Sequence, residues 1–351
     1  MPALSPVQLH KQLKSGDFAR VYLFYGEESY LKQVYADRLA RACVTPGMEG
    51  FNHKKYDATD GAPFSEVLDA AETLPAFGGY MCVVACDYAL DSLSASDKAR
   101  LDAYLADPNE NAVLLFWQDE VRVDPKKSAK WRGILEAVSK CGTAVAFDRL
   151  DMPSLTKTLR DGAAKRGCAL DAAQARYLAE TVGNDLHRLL GELEKLCAYK
   201  QGGGEISKAD IDAVVTRSLE ANVFDLTRAL SAGNCARALS VLEKLLQDKE
   251  KPELILGTIV GAYVDMYRVK LALEAGEQST APAKFFQYKG REFRLRNAAR
   301  DANALPADAL RRALDLCTAA DRALKTGGAP ASLVLERLLV QLAALFAGKR
   351  R

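Results

Sequence analysis

Along the first 150 residues two periods alternate. Short apolar runs at 21–25, 54–56 before Asp57, 81–86, 113–117 and 143–147 predict strands. Four of the five are almost wholly apolar, as strands covered on both faces must be. Amphipathic stretches at 30–44, 64–74, 96–106 and 129–140 separate them at helical spacing. Strand and helix in turn predict a doubly wound, mostly parallel α/β sheet over 1–150.

From 151 the strand pattern stops. Leu178, Val182, Leu186, Leu189, Leu193 and Leu196 recur at three- and four-residue steps. Gly183-Asn184-Asp185 interrupts them with a C-cap glycine followed by N-cap residues, so two packed helices are expected. The glycine run at 202–204 is a loop, and Ser207 with Asp210 opens another short helix. Residues 151–217 therefore read as a small unit of three or four helices. From 218 to 351 helices are expected near 222–231, 234–247, 252–274, 291–302, 306–325 and 330–347. Their apolar stripes must be buried in a closed bundle, because no fixed-period repeat marks a solenoid.

Composition narrows the function. Hydrophobic residues make up 49% and charged residues 27%, globular proportions that exclude a disordered or fibrous chain. No apolar run approaches the 18 or so residues of a membrane span, and the N-terminus lacks a secretory signal, so a soluble cytoplasmic protein is expected. The 8 cysteines form no CxxC pair and the 3 histidines do not cluster, which argues against structural zinc. Cys82 and Cys86, on one face of a strand, read as small buried hydrophobes rather than a redox pair. A net charge of +2 excludes a protein devoted to coating nucleic acid, although a local basic surface is compatible with it.

The first strand runs into Gly26-Glu27-Glu28-Ser29-Tyr30-Leu31-Lys32-Gln33, where a P-loop would sit. Gly26 and Lys32 match the first glycine and the lysine of GxxxxGK[ST]. Leu31 replaces the second glycine, and Gln33 replaces the hydroxyl residue that holds magnesium. Glu27 and Glu28 place negative charge where a triphosphate would lie. The reading is a nucleotide-binding fold without a working site, hence no cofactor. Asp87 and Asp119-Glu120 follow apolar strands, where a magnesium-holding acid belongs, but acids there also serve ordinary turns. No nucleophile–base arrangement is visible, so no covalent chemistry is expected of this chain. After the helix over 64–74, Leu74 and Phe77 flank Pro75-Ala76 in a turn. They read either as core residues or as a plug for a partner's pocket.

With those residues in view, the whole chain resembles the delta-subunit family of the bacterial DNA polymerase III clamp loader. The match rests on VYLFYGEESYL at 21–31, TLPAFGG at 73–79, VDPKK at 123–127, VGNDL at 182–186 leading to ELEKL at 192–196, and the stretch 321–325. The resemblance implies an AAA+-like α/β domain over 1–150, an all-α lid over 151–217 and an all-α collar over 218–351. It implies that the chain binds the sliding clamp, the polymerase's beta subunit, and holds the ring open for loading onto primed DNA. ATP would be hydrolysed by sister subunits. Expected partners are gamma/tau and delta prime through the collar, with no membrane, within a holoenzyme that is a nucleotidyltransferase. It favours the plug reading for Leu74, Pro75, Ala76 and Phe77, with Pro75-Ala76 standing where some relatives carry a bulkier pair.

Two basic stretches add candidates for DNA contact. Residues 284–300 hold six basic residues, Arg291 and Arg294 among them, interleaved with Phe285, Phe286, Tyr288 and Phe293. That is a phosphate-and-stacking surface, or a helix that buries its aromatics and solvates its arginines. Arg122, Lys126, Lys127, Lys130 and Arg132 form the second cluster. The alternatives from other classes are an active ATPase of the same fold and a DNA-binding helical adaptor.

Overall fold

The computed structural model describes residues 6–201, 203–288 and 291–347. The chain divides into two compact units, Met1–Arg149 and Leu150–Arg351.

The first unit is a five-stranded sheet of β1 (Val21–Tyr25), β2 (His53–Asp57), β3 (Met81–Cys86), β4 (Ala112–Trp117) and β5 (Thr143–Ala146). Their order is β2-β3-β4-β1-β5, with every pair parallel. Alternation within the apolar runs sends successive side chains to opposite faces. Val21, Leu23, Met81, Val83, Leu114 and Phe116 meet α4 (Phe64–Glu72), α5 (Ala95–Ala106) and α6 (Ala129–Cys141). Tyr22, Phe24, Cys82, Val84, Val113 and Leu115 meet α1 (Pro6–Ser15) and α2 (Ser29–Cys43) on the other face. Strand β2, HKKYD, stands at the sheet edge with partly exposed side chains, and lysines there discourage a further strand from adding. A four-residue helix, α3 (Glu49–Asn52), leads into β2.

In the second unit α7 (Met152–Ala164), α8 (Ala172–Val182), α9 (Leu186–Tyr199) and α10 (Lys208–Val214) come first. Asp185 caps α9 through the Arg188 amide, and Ser207 with Asp210 forms a reciprocal capping box on α10. The all-α expectation needs one correction. Cys168–Ala169 (β6) and Gly204–Glu205 (β7) form a parallel pair, too short to show any hydrophobic period. Part of the expected glycine loop, Gly202, lies outside the described residues. Helices α11 (Leu219–Ser231), α12 (Cys235–Gln247), α13 (Pro252–Glu274), α14 (Glu292–Ala302), α15 (Ala307–Thr326) and α16 (Ala331–Ala347) follow. They share one core around Tyr263, Leu310, Leu335, Leu339 and Phe346. A parallel five-stranded sheet flanked by helices and followed by a mostly helical region is thus the architecture. Among the described residues, no helix is long and apolar enough to cross a membrane.

Candidate functional site

In a parallel sheet all strand-to-helix loops lie at one end and all helix-to-strand loops at the other. The degenerate P-loop follows β1, at the switch point between β1 and β4 where ligands of such sheets bind. The 73–80 segment enters β3 from α4 and lies at the opposite end. The two candidate sites are therefore separate.

At the P-loop end the chain's own atoms occupy the lysine. The Lys32 side chain is fully buried. Its ammonium donates to the carbonyls of Gly26 and Gln118, both at 2.8 Å, and pairs with Asp119 Oδ1 at 2.5 Å. Burial pushes the Asp119 carboxyl up, but hydrogen bonds from Lys32 and Ser29 and the Lys32 charge outweigh it, so its pKa lies below the usual range. The Glu28 amide donates to Phe147 O at 2.9 Å instead of facing an open phosphate cradle. Gly26, at φ 112°, passes so close to that strand end that a Cβ would sit 2.3 Å from Phe147 O. Glu27 pairs with Arg149 at 3.2 Å, Leu31 packs into the sheet core, and Gln33 is exposed. Asp87, at φ 53°, accepts from the amides of Asp119, Glu120 and Val121 at 2.7, 2.9 and 3.1 Å. Asp87 and Asp119, two of the three acids considered as magnesium holders, thus have structural partners. Among the described residues no cluster of three His, Cys, Asp or Glu could hold a metal. Cys82 and Cys86 are buried and free, and burial raises the Cys86 thiol to about 11.

The opposite end presents an apolar knob. Helix α4 stops at Glu72, two residues short of the 64–74 stretch expected, and Pro75 disfavours helix in the residue before it. Leu74 is 69% and Phe77 84% exposed, while Pro75 and Ala76 are half-buried. Three consecutive residues turn left-handed: Phe77 at φ 57°, Gly78 at 88° and Gly79 at 77°. For a phenylalanine that conformation costs about 1–2 kcal/mol, so neighbouring contacts must enforce it.

Asn52 supplies them. Fully buried, it accepts from the Ala76 amide at 2.7 Å and donates to Ala76 O at 2.8 Å and Gly78 O at 3.3 Å. The Thr45 hydroxyl also donates to Gly78 O at 3.3 Å, and the Tyr80 amide donates to Cys43 O at 3.1 Å. At Gly79 a Cβ would stand 2.5 Å from Thr45 Oγ1. The knob is therefore held from below by polar contacts while its apolar side chains stay outside. Sequence reasoning missed Asn52; one asparagine before an edge strand carries no periodic signal.

The basic candidates are distributed unevenly. Arg122, Lys126, Lys127 and Lys130 are exposed between β4 and the start of α6, although Lys130 Nζ donates to Asp91 O at 3.0 Å and Arg132 Nη1 to Pro125 O at 3.1 Å. In the 284–300 stretch Lys289 lies outside the described residues. The helix reading is divided there: Tyr288 and Phe293 are buried, while Phe285 and Phe286 are exposed. Arg294 Nε donates at 2.8 Å to Asp265, a carboxylate only 3% exposed that also accepts from the Tyr288 hydroxyl at 2.5 Å. Arg291 is partly buried and also has a partner within the chain.

Two family models match the chain. The model for the DNA polymerase III delta subunit matches residues 22–137, and that for the subunit's C-terminal domain matches 220–342. The chain belongs to the DNA polymerase III delta-subunit family. The DNA polymerase III subunit delta of Bacillus subtilis (strain 168) is 25% identical over 338 residues, 95% of each chain. A probable DNA polymerase III subunit delta of Aquifex aeolicus (strain VF5) is 22% identical over 265 residues, 74% of this chain and 73% of that one. The solved Bacillus subtilis DNA clamp loader delta protein has the same fold, with a TM-score of 0.66 at 24% identity over 97% of this chain and 99% of that one. The delta-subunit models thus cover most of the α/β unit and most of the C-terminal helices.

Proposed function

We propose that this delta-family chain is a clamp-loader subunit that binds the ring-shaped sliding clamp through Leu74 and Phe77 and holds the ring open for loading onto primed DNA. The observation that carries this reading is the exposure of both side chains on a loop that buried Asn52 braces. A rigid loop bearing an aliphatic and an aromatic anchor loses little entropy on docking, which is how a small contact becomes tight. Pro75, between them, limits the loop's freedom further. Opening needs no chemistry from the chain. A ring in equilibrium between closed and open forms shifts by the difference in binding free energy that the ligand has for the two.

The chain hydrolyses no ATP in this reading, since three protein oxygens hold the Lys32 ammonium. Its helical C-terminal region assembles with the gamma/tau and delta prime subunits, and Arg122, Lys126, Lys127 and Lys130 face primed DNA within that complex.

The test is co-elution of the full chain with its cognate clamp. Serine at Leu74 or Phe77 should weaken binding by at least about 2 kcal/mol each, roughly thirtyfold, with an unchanged circular dichroism spectrum. Wild-type affinity in the double variant overturns the proposal, as does Mg-ATP binding to the isolated chain by calorimetry.

A further inference from the structure

Among the described residues of the first unit, the large apolar side chains that stand exposed are Phe51, Leu74 and Phe77. The unit otherwise buries its large hydrophobes in the two layers beside the sheet. Phe51 is 64% exposed, on the four-residue helix α3, which is 22 positions before the knob begins at Thr73 and shares no motif with it. The structure nevertheless joins the two segments. Asn52, next to Phe51, makes two hydrogen bonds with the backbone of Ala76, next to Phe77, at 2.7 and 2.8 Å. Each exposed ring is therefore one residue away from a doubly bonded pair. The amide of Asn52 is buried beneath while both rings point outward.

Three exposed apolar side chains thus stand on two segments that hydrogen bonds join, and apolar groups gathered on joined segments mark interaction surfaces more reliably than single exposed hydrophobes do. We infer that Phe51 is a third anchor of the surface that Leu74 and Phe77 present, and that it seats against the same clamp protomer beside the pocket they enter. This rests on the clamp-binding reading above. The observation specific to it is the Asn52 bridge, which ties the segment carrying Phe51 to the backbone of the knob before any partner arrives. A surface prearranged in this way binds without first ordering either segment.

The experiment measures affinity of the full chain for the cognate clamp by surface plasmon resonance, for the wild type and for Phe51→Ser, Phe51→Leu, Phe77→Ser and Phe285→Ser. Phe285 is 78% exposed in the other unit and controls for the general loss of an exposed ring. Phe51→Ser should weaken binding at least tenfold, Phe51→Leu should recover most of that loss, and Phe285→Ser should bind as the wild type does. A photo-crosslinking phenylalanine analogue at position 51 should couple to the clamp, which a residue that merely braced Asn52 would not do. If Phe77→Ser loses binding while Phe51→Ser keeps it, or if no crosslink forms, the inference falls and the clamp-binding reading stands. If the wild type does not bind the clamp, or Phe77→Ser binds normally, the reading itself falls and the inference with it.

Discussion

Replacing Lys32 by Met distinguishes a P-loop lysine that awaits a nucleotide from one built into the fold. Methionine fills the space of the apolar stem, so little cavity cost is added. The variant leaves the Gly26 and Gln118 carbonyls without the ammonium, which each meets at 2.8 Å, and leaves Asp119 with Ser29 but without its cation. Removing one partner of a buried pair costs about 3–5 kcal/mol; because the Asp119 side chain is 34% exposed, water can solvate it in part, and about 3 kcal/mol is the expected loss. For a unit near 150 residues that lowers the melting temperature by roughly 10 °C. Both tryptophans, Trp117 and Trp131, lie in the first unit, so tryptophan fluorescence during urea unfolding follows that unit alone. The pH dependence gives a second readout. Asp119's folded pKa is held below its ordinary value, so its contribution is complete above that value and is lost as pH falls through the folded one. The gap between wild type and variant should be constant near neutrality and narrow below about pH 4. In a working P-loop the lysine faces an empty site, and its removal changes apo stability by about 0.5 kcal/mol or less. A loss below about 1 kcal/mol here, or a rise in the wild-type midpoint on adding Mg-ATP, refutes the argument.

Three further outcomes test the knob, the helical region and the basic surface. Phe77→Gly removes an 84% exposed ring from a left-handed position, so the unfolding free energy from urea titration should hold or rise by up to about 1 kcal/mol while clamp affinity is lost; a destabilisation above about 1 kcal/mol would place the ring inside its own domain. Arg294→Met leaves the buried Asp265 carboxylate with the Tyr288 hydroxyl but without its cation, so it should destabilise the helical bundle by about 3 kcal/mol in thermal circular dichroism and leave affinity for primed DNA unchanged. Lys126→Ala with Lys127→Ala should instead lower the salt slope of DNA binding by about 1 per lysine; equal slopes would remove those lysines from the DNA surface.

Legibility in the sequence followed the number of side chains each feature involves. Strands β1, β3, β4 and β5 could be read because burial on both faces demands continuous apolar runs, and helices α8, α9 and α10 because cap residues and period agree. Helix α1 escaped because its ten residues are mostly polar, and the β6–β7 pair because two residues hold no period. Lys32 and Gln33 could be judged as motif losses, yet nothing local foretold that Gln118 and Asp119, more than 80 residues away, would hold the lysine. Leu74 and Phe77 could be placed in a turn but not assigned inside or outside, since hydrophobicity alone favours the core. The turn that carries Phe77 is braced on both sides by Asn52 and Thr45, polar residues whose significance exists only in three dimensions.

The two ends of the sheet share a physical logic. At the strand C-termini a lysine at the P-loop position pairs with the protein's own oxygens and is part of the fold. At the strand N-termini the reverse holds: hydrogen bonds from buried Asn52 and from Thr45 hold the backbone on both sides of Phe77, which keeps a conformation its backbone disfavours and its ring in water. Neither the strain of about 1–2 kcal/mol nor the exposure helps the isolated domain. Both become useful when the ring is buried elsewhere, since roughly 25 cal/mol is gained for each Å² of apolar surface then removed from water. A loop that keeps both a disfavoured backbone conformation and an exposed ring is what the proposed docking role requires of it.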